Sequence, residues 1–503
     1  MMVALSGCPG GNANVGEACE SHGACDANLQ CLSNVCVPRC QRAPECGDGY
    51  GCDTDGLCRV AEGQSGDACT SEVGCGPGLS CQINGDAVDP NGRLLASCTE
   101  QTAARPAGSP CVGDADCRNG TCALGLCVDL CDETRDCSAG SSCMIVPRIE
   151  AQGAAFDGCL PAQGNIVWSI PVVAPNAEIL LPVPSGARYV SLVLEVDDQA
   201  QKVGAVRVTA PSSEVIYTVP CDPDAVTGTC TRAESQRQYY VQNKLRHLPA
   251  AGQSVLALPS SPQVPLETGA YRVLASSFRP NGTSGSAIPQ VTAVVRIESA
   301  VILDLHLHFL DLASHPCAAA FGNLRLDAAA AETETVFQSD FLGQLRGILT
   351  RGGVALGAVT YADVLDHPDL DGLDIGDASA LLSLGRHAQG INVFFVRTLS
   401  PVGLQAFGPG PGPAGIGGTR KSGIVVGIDT LCYRSWQQLA RLTAHELARY
   451  MGLYHNVELD AQWRDPIADS DESPSNLMFY SEVGGAELSA GQRDILTRSP
   501  VLR

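Results

Sequence analysis

Twenty of the cysteines before residue 160 repeat a single spacing, and that repeat limits what the first third of this 503-residue chain can fold into. The sets are Cys19, Cys25, Cys31 and Cys36; Cys40, Cys46, Cys52 and Cys58; Cys69, Cys75, Cys81 and Cys98; Cys111, Cys117, Cys122 and Cys127; and Cys131, Cys137, Cys143 and Cys159. Each set opens C-x5-C-x4/5-C, so residues 19–160 read as five four-cysteine modules. Between the cysteines lie Gly, Asp, Asn and Ser, with few large apolar residues. Such modules cannot bury a core of their own and need bridges, each worth roughly 2–4 kcal/mol. The spacing is not the C-x2-C of structural zinc sites, so a disulfide framework made outside a reducing cytosol is expected. Four cysteines allow three pairings, and spacing does not choose among them.

At the start of the chain, Leu5-Ser6-Gly7-Cys8 resembles a bacterial lipobox, which implies lipidation of Cys8. Residues 1–18 then read as a truncated signal with the lipobox and a linker. No run of about 20 apolar residues exists, so membrane contact is expected only through a lipid on Cys8. The expected location is extracellular or on the cell surface, as a bacterial lipoprotein. The net charge is -22, and the only lysines are Lys202, Lys244 and Lys421. No basic stripe is available to neutralise phosphates, which argues against nucleic-acid partners.

Cysteine nearly vanishes after residue 160, and short alternating runs take over between 165 and 298. Glu178–Pro182, Tyr189–Glu195, Ala205–Thr209, Ala270–Leu274 and Val291–Ile297 read as strands separated by Pro/Gly turns, an all-β sandwich. Cys221 and Cys230 flank one short loop and are expected to pair. From 300 to 503 strands and helices mix, an α/β (α+β) region. Leu303–Phe309 alternates strictly, giving a strand with a polar face that carries His306 and His308. A helix is predicted over Asp340–Leu349, entered through Gln338-Ser339-Asp340. Gly353–Val359, Ile391–Arg397 and Ser422–Ile428 read as strands, and 407–418 as a Gly/Pro loop. Asp366, Asp369, Asp371, Asp374 and Asp377 fit no EF-hand spacing and read as a solvated loop. Cys317 and Cys432 are the remaining cysteines and are expected to form a bridge.

The strongest helix prediction is Ser435–Met451, with Ser435 and Gln438 as a capping box and Gly452 as its stop. It carries His445-Glu446-Leu447-Ala448-Arg449, followed by Gly452 and His455. This run resembles the metzincin signature H-E-x-x-H-x-x-G-x-x-H. Downstream, Asn476-Leu477-Met478-Phe479-Tyr480 resembles the Met-turn of that family. Asp465–Asp469 and Leu488-Ser-Ala-Gly-Gln492 resemble pappalysin-like proteases. The resemblance implies a zincin domain over 300–503 and an extracellular zinc endopeptidase acting on proteins or peptides. In that reading His445 and His455 are zinc ligands, Glu446 is the general base, Met478 supports the site, and Tyr480 stabilises the oxyanion.

Arg449 departs from the pattern, standing where the second zinc histidine is expected. A guanidinium has no lone pair to give a metal. At roughly 4 Å from a dication, with an effective dielectric of about 20, repulsion is on the order of 8 kcal/mol. Arg449 must turn away, displace the metal, or pair with Glu446. Glu458 and Asp460 are the nearby carboxylates that could serve as substitute ligands. Three functions follow from these residues: a zinc endopeptidase impaired by Arg449, an inactive pseudoprotease acting as a surface binding module, or a structural cysteine-rich lipoprotein.

Overall fold

The computed structural model describes residues 29–32, 35–39, 50–52, 58–60, 63–69, 75–101, 105–148, 154–225, 230–310, 326–481 and 484–503. Cys8 and Cys317 lie outside them, and so do the lipidation and the Cys317 bridge expected there. The chain divides into two compact units, residues 1–162 and 163–503.

In the first unit, the third and fourth cysteines of every module face each other across an antiparallel strand pair. Cys31 is opposite Cys36, Cys52 opposite Cys58, Cys81 opposite Cys98, Cys122 opposite Cys127, and Cys143 opposite Cys159. Facing positions put both side chains on one face of the pair. Where both bridges of a module are defined, the two cysteines bond elsewhere, first to third and second to fourth. The bridges are Cys69–Cys81 and Cys75–Cys98, Cys111–Cys122 and Cys117–Cys127, and Cys131–Cys143 and Cys137–Cys159. The loop carrying the first two cysteines is thereby stapled across its hairpin. In two of these modules an aspartate just before the second cysteine closes that loop. Asp116 accepts from the Val112 N–H at 2.8 Å, and Asp136 from the Asp132 N–H at 2.9 Å. The buried clusters here are mostly sulfur, as in Cys69, Cys75 and Cys98. Such a disulfide-rich fold belongs to an oxidising, non-cytoplasmic compartment.

The second unit is rich in β-structure. One antiparallel sheet runs in the order Gly164–Ile170, Gln290–Ile297, Ala187–Glu195, Gln253–Leu258. The other orders Asn176–Val183, Gly269–Phe278, Lys202–Thr209 and Val215–Thr218, with Ala250–Ala251 beside Lys202–Thr209. All five runs expected from the sequence lie within these strands. Gln253–Leu258 carries no alternation because every residue in it is buried. Cys221 and Cys230 are bonded.

Residues 300–503 add a five-stranded sheet in the order Ala355–Asp363, Ile302–Phe309, Ile391–Val396, Ile424–Gly427, Ala406–Phe407. Its first four strands are parallel and the last is antiparallel. The predicted helix start at 338–340 is corrected. A π-helical turn over Phe337–Gly343 leads without a break into Gln344–Arg351, and Val336 before it is already helical. Packing explains this: Phe337 and Phe341 are buried against Trp436 and Phe395. The polar face of Ile302–Phe309 is covered, with the His306 ring stacked 3.6 Å from that of His387. The acidic run is partly committed to structure, since Asp371 pairs with Arg397 at 2.9 Å and Asp374 accepts from the Gly376 N–H at 2.8 Å. Cys432 is disulfide-bonded.

Polar groups of the antiparallel sheets hold the C-terminal segment and Ala300, ahead of Ile302–Phe309. Arg296 donates to the carbonyls of Thr497, Ser499 and Ala300, and Asn165 donates to Pro500 O at 2.6 Å. Among the described residues no helix is long and apolar enough to cross a membrane.

Candidate functional site

The site begins with the helix Trp436–Tyr450, which is held at both ends. Ser435 Oγ accepts from the Gln438 N–H at 3.2 Å, while Gln438 Oε1 accepts from the Ser435 N–H at 2.9 Å. Beyond the far end Gly452 has φ +111°, and a Cβ there would lie 2.6 Å from the Tyr189 hydroxyl. Only glycine suits both the backbone and the space. The chain turns at this point and brings His455 back beside the helix, with its ring centroid 5.3 Å from that of His445.

Both imidazoles are oriented through Nδ1. His445 Nδ1 donates to Leu477 O at 2.8 Å, and His455 Nδ1 donates to Glu458 Oε2 at 3.2 Å. With Nδ1 bonded in both rings, the neutral form of each carries its lone pair on Nε2, the disposition that ligating histidines take. Burial holds His445 well below the ordinary histidine pKa. Met478 is buried, and its peptide ties both flanks: its N–H donates to Asn476 Oδ1 at 2.8 Å, and its carbonyl accepts from the Asn456 N–H at 3.1 Å.

Arg441, which the sequence reading did not single out, and Gln492, which closes the Leu488–Gln492 motif, hold this turn. Arg441, one helical turn before His445, donates to the carbonyls of Leu477, Ser481 and Gly485 at 2.8–3.0 Å. Burial pushes its pKa down to about 10. An arginine between Leu439-Ala440 and Leu442 was the available signal. Gln492 links Asn476, Ser489, Ser470 and Asp465 through its side-chain amide. Burial raises Asp465 to about 7.

Arg449 does not turn away. Its Nη1 lies 3.4 Å from Glu446 Oε2, on a carboxylate that is itself buried. Burial raises the Glu446 pKa, while Arg449, His455 and the Gly408 N–H pull it back. The Gly/Pro loop closes over this pair. A Cβ on Gly408 would lie 3.1 Å from Glu446 Oε2, one on Gly410 3.2 Å from Arg449 Nε, and one on Gly412 2.3 Å from the Tyr450 ring. The alternate glycines of the Gly-Pro repeat thus pack on successive side chains of the helix.

Zinc requires three protein donors around an open position. Here two imidazoles are set for it, and the third place is a guanidinium already paired with Glu446. Glu458, one of the two carboxylates expected as substitutes, is taken up by His455 Nδ1 and the Tyr240 hydroxyl. The residues present do not fit a zinc centre. Among the described residues, the groups of three donor atoms within 4.8 Å of one another are Cys69/Cys75/Cys81, Cys111/Cys117/Cys122 and Cys131/Cys137/Cys159. All of these sulfurs are in disulfides and offer no thiolate.

The Tyr480 side chain is exposed, and its ring packs 4.5 Å from that of Phe479. Asp460 accepts from the Gln462 N–H at 3.1 Å. No protein-family model matches the chain, and no curated protein matches it in sequence.

Proposed function

We propose that this is a metzincin-like, pappalysin-like protein of the cell exterior that binds peptide segments without hydrolysing them. The observation that carries this reading is the Arg449–Glu446 ion pair at 3.4 Å. It engages the carboxylate that a general base would need free, and it puts a cation where a third metal donor would stand. In this reading the cysteine modules space or display the binding region, and Cys8 anchors the chain to a bacterial surface. The Nε2 lone pairs of His445 and His455 favour a second reading, an active zinc endopeptidase that has recruited another donor.

Metal analysis and a casein-cleavage assay separate the two. For the natural protein, well under one zinc per chain and no cleavage are expected. Arg449→His completes the donor set and should bring zinc close to one per chain. One zinc per natural chain together with casein cleavage would overturn the binding-module reading. For the anchor, radiolabelled palmitate should be incorporated by the natural protein in a bacterial host and lost in Cys8→Ser. Equal labelling of both would sink the lipoprotein assignment.

A further inference from the structure

A cavity of about 470 Å3 opens beside His455, lined in part by Lys421, Arg449, Glu458, Tyr239 and Tyr240. Its charges are unevenly satisfied. Glu458, the carboxylate in the wall, accepts from His455 Nδ1 at 3.2 Å and from the Tyr240 hydroxyl. Arg449 gives one nitrogen, Nη1, to Glu446. The Lys421 ammonium has no hydrogen bond or ion pair among the described residues; the bonds of this residue are made by its backbone nitrogen and carbonyl. Burial pushes its pKa down to about 8. In a chain of net charge -22, this wall keeps an unpaired cation and spends its anion internally. A half-buried ammonium without a counter-charge is costly, and an arriving anion removes that cost.

The rest of the wall narrows the choice of anion. Tyr239 and Tyr240 contribute aromatic side chains to the wall, and Leu248 and Pro409 add apolar surface. A volume of this size suits one or two residues of an extended chain. A small inorganic ion would leave the aromatic part empty.

We propose that this cavity holds a peptide carboxylate, with Lys421 and Arg449 as its cationic contacts and Tyr239 and Tyr240 against the adjoining side chain. The assignment rests on the reading that the cleft binds peptides. The carboxylate can come from a chain terminus or from an Asp or Glu side chain, and the test separates these sources.

Fluorescence anisotropy on the full-length protein would use three labelled peptides: Ala-Ala-Phe with a free carboxylate, Ala-Ala-Phe amide, and Ala-Glu-Phe amide. The free acid should bind at least about tenfold more tightly than Ala-Ala-Phe amide. Lys421→Met should bring the acid-to-amide affinity ratio close to one, and Lys421→Arg should keep most of the preference. Ala-Glu-Phe amide matching the free acid means that a side-chain carboxylate serves as well as a terminal one; the free acid binding tightly alone assigns the site to the terminus. Equal binding of acid and amide, no binding of any of the three up to millimolar concentration, or a Lys421→Met variant that folds normally and keeps the preference would overturn the proposal. Equal binding of acid and amide would leave peptide binding itself intact. Zinc-dependent cleavage of casein would remove the pseudoprotease reading without touching the carboxylate preference.

Discussion

At the scale of single residues, the centre is built by close approach as much as by charge. Gly412 lets the loop touch Tyr450, and its N–H donates to Tyr450 O at 2.9 Å. Gly412→Ala forces a methyl into a ring 2.3 Å away, so a loss of roughly 1–3 kcal/mol is expected in urea unfolding. Gly113→Ala, with nothing within 4 Å of the new Cβ, should stay within about 0.5 kcal/mol of the natural protein. Equal effects would remove the packing argument. The importance of Arg449 was legible in the sequence, because one residue broke an otherwise ordered motif. The destination of its guanidinium was not. The sequence leaves open pairing with Glu446, turning outward and displacing a metal; in the structure the guanidinium lies 3.4 Å from Glu446, and Gly408 and Gly410 close on the pair. Gly-Pro alternation reads as a loop by composition, and nothing in composition says which surface such a loop covers.

At the scale of elements, the strongest sequence prediction was the helix that local chemistry specifies at both ends. Ser435 and Gln438 cap Trp436–Tyr450, and Gly452 stops it. Ser435→Ala removes one half of the box and should cost about 1 kcal/mol, read as a lower denaturation midpoint; Ser435→Asp should retain most of the stability. Elements fixed by tertiary packing were harder to see. Phe337–Gly343 became helical because Phe337 and Phe341 pack on Trp436, against the turn that Gln338-Ser339-Asp340 suggests locally. The segment Arg232–Gln242, which delivers Tyr239 and Tyr240 to the cavity, is short and has no buried residue to mark it. Arg246 then fixes both tyrosines by donating to their carbonyls and stacking over their rings at 5.5 and 5.4 Å. Such a through-space arrangement leaves no periodic trace in the sequence.

At the scale of the whole molecule, the two units are stabilised by different means, which gives them different sensitivities to reductant and to acid. Residues 1–162 depend on sulfur bridges, so reduction should open them to protease while a fragment beginning near residue 163 persists. Simultaneous loss of both would contradict the division. Acid should act mainly on the second unit through its buried histidines. His247 is buried, accepts from the Ala205 N–H at 3.0 Å and donates to Val255 O at 3.0 Å, and burial lowers its pKa to about 4. Burial also lowers His306 and His308. Unfolded histidine titrates near 6.5, so between that value and about 4 the unfolded chain binds protons that the folded chain refuses. The histidine contribution is therefore complete above about pH 6.5 and is lost as pH falls toward 4, on the order of 3 kcal/mol for His247 alone. Asp465 works in the opposite sense. Raised to about 7, it costs stability as pH climbs from about 4 to 7, because the unfolded carboxyl gives up its proton first. Both windows span pH 4–6.5, so urea unfolding of the natural protein there reports their difference. Replacing His247 with Gln, which can still accept from Ala205, should weaken the acid-side loss in that range. An unchanged slope in this variant would mean that His247 is not held neutral by its surroundings.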